Sequence, residues 1–137
     1  MALIGGGGAG NVAGGSNPSG TGASLNYIGD HCYAYSGSKA SSGTETSFLD
    51  FTTASNSYIE AKVQPVYFGQ GTNNVGYFVY FNGELVQYAE VTSGRDYTPY
   101  DVIYLIIPAD THVEIKIDNL SGGAEDAGVS LTGRVYG

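Results

Sequence analysis

THVEIKID, residues 111–118, alternates without a break: Val113, Ile115 and Ile117 fall on one side of an extended chain, and His112, Glu114, Lys116 and Asp118 on the other. Successive side chains of a β-strand point to opposite faces, so this stretch reads as a strand with one face in a core and one in water. VSLTGRVY (129–136) repeats the pattern with Val129, Leu131 and Val135 facing in, and SYIEAKVQ (57–64) does so with Ile59, Ala61 and Val63. There Pro65 removes a ladder donor and predicts an edge or a bulge. HCYAYS, TSFLDFT, VGYFVYF, ELVQYAEV and DVIYLII complete a set of about eight strands, and no segment carries a helical period.

Between these runs lie clusters of Gly, Ser, Asn and Asp. In FNGE, the Asn82-Gly83 pair predicts a type I′ hairpin, because both central residues of that turn need positive φ. Short strands separated by turn clusters of uneven length predict an antiparallel β-sandwich, with a jelly roll as the first choice because eight strands suit it. This body spans residues 30–137.

Residues 1–29 differ in kind. They hold close to half of the chain's 22 glycines and few apolar side chains, so little burial offsets the backbone entropy of ordering them. The segment is expected to be an extended arm, which either trails as a passive leader or orders along a neighbouring polypeptide. Gly5, Gly7 and Gly10 satisfy G-x-G-x-x-G, but only MALI precedes them and no helical pattern follows, so no dinucleotide site is read there.

Two strands are apolar on both sides. In VGYFVYF, Val75, Tyr77, Val79 and Phe81 share one face while Phe78 and Tyr80 occupy the other; in DVIYLII, Val102, Tyr104 and Ile106 oppose Ile103, Leu105 and Ile107. A two-layer sandwich leaves each sheet one watery face, so a second apolar face needs a cover. A roofing loop is one solution and a subunit interface another; tyrosine suits the interface, since its ring is apolar and its hydroxyl tolerates a wet rim. Tyr77, Phe78, Tyr80, Val102, Tyr104 and Ile106 are the expected core-plus-interface set.

The formal net charge of −8, with only five Lys and Arg scattered along 137 residues, disfavours a nucleic-acid partner. No run approaches the roughly 18 apolar residues of a membrane span. A single cysteine makes no internal disulfide, and together with the lack of an export signal it predicts synthesis in a reducing cytoplasm.

Chemistry finds little purchase. His31 is adjacent to Cys32 and so points to the opposite sheet face, which leaves no Cys-His pair; Cys32 reads as a small core residue beside Ala34. Two histidines and one cysteine, none at metal spacing, predict no zinc site. The oxygen-rich tract DNLSGGAEDAG, with Asp118, Asn119, Glu125 and Asp126, lacks the acid ladder of a calcium loop and reads as a solvated turn. No motif nominates a carboxylate pair, and neither catalytic residue nor cofactor is expected. Twelve tyrosines without a tryptophan raise a carbohydrate-binding alternative, with Tyr97 and Tyr100 of YTPY as the candidate stacking patch.

The opening GAGNVAGG with the following NP, GTG and LNYIGDH, then YAYSG, LIIPADTHVEIKIDNL and the closing LTGRVYG, resemble small head decoration, or cement, proteins of tailed bacteriophages. The resemblance covers most of the chain and rests on turn and strand patterns. It implies a jelly-roll body, a homotrimer, a place on the outer surface of a virion, and the major capsid protein as partner. It implies no catalytic motif. A docking arm would fall between Ala2 and Gly22, with Ala2, Leu3, Ile4, Asn11, Val12, Asn17 and Pro18 as its candidate contacts. The alternative is a host-surface or glycan-binding module of a tail fibre or spike.

Overall fold

The computed structural model describes residues 24–67, 74–91 and 102–137. Among them are ten strands and no helix: β1 (Asn26–Ile28), β2 (His31–Tyr35), β3 (Lys39–Ala40), β4 (Thr46–Thr52), β5 (Tyr58–Tyr67), β6 (Val75–Phe81), β7 (Glu84–Val91), β8 (Ile103–Ile107), β9 (His112–Asn119) and β10 (Asp126–Tyr136). They form an antiparallel β-sandwich. One sheet runs β1-β2-β10-β5-β8, with β3 also on β10, and the other runs β4-β9-β6-β7. From β4 to β10 every consecutive pair of strands changes sheet except β6 and β7, which the Asn82-Gly83 turn joins. Asn82 has φ 51° and Gly83 has φ 86°, the two positive values a type I′ turn requires.

Alternation fills the space between the sheets. Ile59, Ala61 and Val63 of β5, Val129, Leu131 and Val135 of β10, and Cys32 and Ala34 of β2 face Val113, Ile115 and Ile117 of β9 and Val75, Tyr77 and Val79 of β6, all buried. Tyr77 is 1% exposed, and its hydroxyl donates to the Val66 carbonyl at 2.7 Å, which satisfies the one polar atom its ring carries inward.

TSFLDFT departs from period two: Phe48 and Leu49 are both fully buried. A register shift between Ser47 and Leu49 against β9 explains it, since the extra residue of a bulge lets two neighbours face the same way. Pro65 sits opposite Val129 of β10, but β8 covers only Ile59–Val63, so the proline lies where β5 is paired on one side alone. Two short strands, β1 and β3, bring the count to ten. β1 pairs with β2 from Asn26 to Ile28, so the sheet takes in residues within the stretch assigned to the arm. Residues 1–23 of that stretch lie outside the described residues.

Candidate functional site

The outer face of the β1-β2-β10-β5-β8 sheet is organised in cross-strand rows. Register places His31, Arg134, Glu60 and Ile106 in one row and Tyr33, Thr132, Lys62 and Tyr104 in the next. All of these but Tyr33 line, with Tyr136, an open groove of about 590 Å³. Its β10 end is polar: Arg134 donates to Asp30 at 2.7 Å, His31 lies 3.4 Å from the same carboxylate, and the Tyr136 hydroxyl donates to Glu60 at 3.2 Å. Tyr136 stacks on Tyr58 with ring centroids 5.2 Å apart. The β8 end is apolar, with Tyr104 70% and Ile106 56% exposed.

The outer face of the β4-β9-β6-β7 sheet is partly roofed by its own residues. Phe78 and Tyr88 are cross-strand partners with centroids 4.9 Å apart. They close over Gly76 with Leu120: a Cβ at Gly76 would lie 3.0 Å from the Phe78 ring and 3.3 Å from both Tyr88 and Leu120. Tyr80 donates to Glu45 at 2.6 Å, and the Lys116 ammonium lies 5.2 Å from its ring centroid. That hydrogen bond, more than burial, pushes the Tyr80 phenol up to about 12.

The six expected core-plus-interface residues therefore separate. Tyr77 belongs to the core and contributes nothing to a surface, because period two turns it inward with Val75 and Val79. Phe78, Tyr80 and Val102 are half-buried within the chain. Tyr104 and Ile106 remain open to solvent. Phe78 and Tyr80 lie on the opposite outer face from Tyr104 and Ile106, so the six are not one patch. Three residues of β7 join the exposed group: Leu85, Val86 and Tyr88, 51%, 44% and 41% exposed. Sequence reading missed them, since ELVQYAEV gives no sign that its strand ends a sheet. β7 packs across the core on β5, the neighbour of β8, so the two strands that end their sheets among the described residues lie towards the same side of the sandwich, with Leu85 on one outer face and Tyr104 and Ile106 on the other.

Cys32 is 2% exposed, and burial pushes its thiol up to about 12. A group held protonated in a core is neither a nucleophile nor a ligand. Asn119-Leu120-Ser121 matches the Asn-x-Ser glycosylation triplet, but Asn119 is 1% exposed, so its amide is closed to glycosylation in the folded chain. The arm residues Ala2, Leu3, Ile4, Asn11, Val12, Asn17 and Pro18, and the aromatic pair Tyr97 and Tyr100, lie outside the described residues. No known family model matches the chain, and no curated protein is similar enough to count as a relative.

Proposed function

We propose that this chain is a non-enzymatic assembly protein of a virion, a decoration or cement protein that binds the outside of a phage head and joins neighbouring subunits. The observation that carries the reading is the flank where β7 and β8 end their sheets. Among the described residues each of these strands is paired on one side only, and Leu85, Val86, Tyr104 and Ile106 on them are well exposed. Exposed edges with apolar side chains invite another polypeptide, and soluble proteins that stay alone commonly guard them with lysine or proline. β7 carries neither.

We read the strand order β2-β10-β5-β8 facing β4-β9-β6-β7 as a jelly roll, an architecture of capsid and attachment proteins. The net charge of −8 suits the outer side of a shell, away from packaged DNA. A flank that differs from the surface it meets closes a ring through head-to-tail contacts, which fits a trimer, and the Gly-rich leader supplies a second contact to the major capsid protein. Sedimentation velocity at micromolar concentration tests the ring: a trimer is expected from the wild-type chain and a monomer from a Tyr104→Lys, Ile106→Lys double variant. A wild-type monomer that also fails to bind undecorated heads would overturn the reading.

The groove favours a second reading, a glycan-binding module. An exposed tyrosine beside Glu60, Lys62, Thr132 and Arg134 offers a stacking face with donors and acceptors around it. Glycan-array binding lost in Tyr104→Ala would support it, and silence across the array together with retained binding to heads would remove it.

A further inference from the structure

Metal chemistry looked unsupported in the sequence because the histidines and the cysteine have no ligand spacing along the chain. The β4–β9 ladder creates such a spacing in space. His112 and Glu114 are two apart on β9 and so share its outer face, and Asp50 on β4 is the direct cross-strand partner of Glu114. One ligand atom from each lies within 4.8 Å of the other two, and His112 Nε2 is 2.6 Å from Asp50 Oδ1. A tetrahedral zinc ion with bonds near 2.0–2.2 Å sets its ligand atoms roughly 3.3 Å apart, a spacing that modest side-chain rotation reaches from here.

We propose that Asp50, His112 and Glu114 form a divalent transition-metal site, able to hold Zn²⁺, on the outer face of the β4-β9-β6-β7 sheet. The donor set favours a transition metal. Calcium and magnesium favour oxygen-only shells of six or more ligands, whereas one imidazole with two carboxylates suits zinc. The surroundings favour a cation as well. Asp50 and Glu114 are like charges in directly opposed positions, Glu45 lies beyond Tyr80, and against these stands Lys116, 4.0 Å from Glu114 and placed over the Tyr80 ring.

The backbone under the site is held from both sides. The His112 amide donates to the Asn82 side chain at 2.8 Å, and the Asn82 amide donates back to the His112 carbonyl at 2.8 Å. One residue earlier, Thr111 donates to the Thr53 hydroxyl at 2.9 Å, and the Thr53 amide donates to the Thr111 carbonyl at 2.9 Å. Two ligands on one strand and the third on its partner, both pinned beside the site, leave little ordering to be done when an ion arrives. Three protein ligands leave at least one position on the ion for water or for a group from a neighbouring subunit.

Isothermal titration of the full chain with zinc chloride in a non-chelating buffer should show one ion per chain with micromolar affinity. His112→Ala, Asp50→Asn and Glu114→Gln should each weaken it by about tenfold or more, while Glu45→Gln, which removes a nearby charge and no ligand, should leave it within about threefold. With only two histidines in the chain, proton NMR of the wild-type protein reads the same site without mutation: the His112 ring should shift on adding zinc and His31 should not. Equal shifts of both rings, zinc affinity no better than millimolar, or unchanged binding in folded Asp50→Asn and His112→Ala proteins would overturn the assignment.

Discussion

Gly133 is the residue on which the packing of the first sheet is tightest. It faces inward between Cys32 and Ala61, and a Cβ there would stand 2.6 Å from Ile59 Cγ2, 2.8 Å from the Glu60 carbonyl and 3.2 Å from Cys32 Sγ. The isoleucine methyl can turn aside, but the carbonyl belongs to the β5 ladder. Gly133→Ala should therefore destabilise by roughly 1–3 kcal/mol in a denaturant titration, the usual cost of overpacking. Cys32, its neighbour, makes stability depend on alkaline pH. The thiol ionises near 9.0 in the unfolded chain and near 12 when folded. Below 9 it is protonated in both states and has no effect. Between 9 and 12 unfolding releases a proton, so stability falls as pH rises, by about 1.4 kcal/mol per unit. Cys32→Ala should flatten that slope by close to one proton in a melting series, and the tyrosines that are also raised, Tyr27, Tyr80, Tyr88 and Tyr136, account for slope that persists above 10.

Individual strands carry separate duties. The β6–β7 hairpin depends on a turn whose second residue sits at φ 86°, with open space where a Cβ would go. Gly83→Ala should cost about 1–2 kcal/mol through backbone strain alone, read as a lowered denaturant midpoint with an unchanged slope. β7 beyond that turn is an edge whose outward residues add little to the fold. A Leu85→Lys, Val86→Lys variant should shift stability by no more than about 0.5 kcal/mol while it abolishes self-association. A large loss of stability would mean that these side chains serve the monomer's own core. β9 serves two faces at once: Val113, Ile115 and Ile117 fill the core, and His112 and Glu114 supply ligands outside.

At the scale of the whole molecule, the sandwich offers the β7–β8 side, whose Tyr104 and Ile106 also line the groove of the first sheet's outer face, and the His112 cluster on the second sheet. If assembly runs through the flank and the leader together, deleting residues 2–22 should lower occupancy on heads while the free protein keeps its oligomeric state and melting temperature. Unchanged occupancy would assign the leader a passive role. Arm amides should also exchange slowly on the particle and fast in free protein, measured by hydrogen exchange.

Period two in THVEIKID, VSLTGRVY and SYIEAKVQ determined by itself that the chain forms strands and which residues face the core, because alternation is a local property of an extended backbone. Asn82-Gly83 likewise specified its hairpin, since few residues tolerate two consecutive positive φ angles. What only the tertiary structure decided is which strands end a sheet and which side chains meet across a ladder. Phe78 and Tyr80 became half-buried because Tyr88 and Glu45 lie beside them, Leu85 and Val86 became exposed because β7 ends its sheet among the described residues, and Asp50 reached His112 across 62 positions of sequence. Pairing of distant segments is set by how the whole core closes, and no local pattern encodes it.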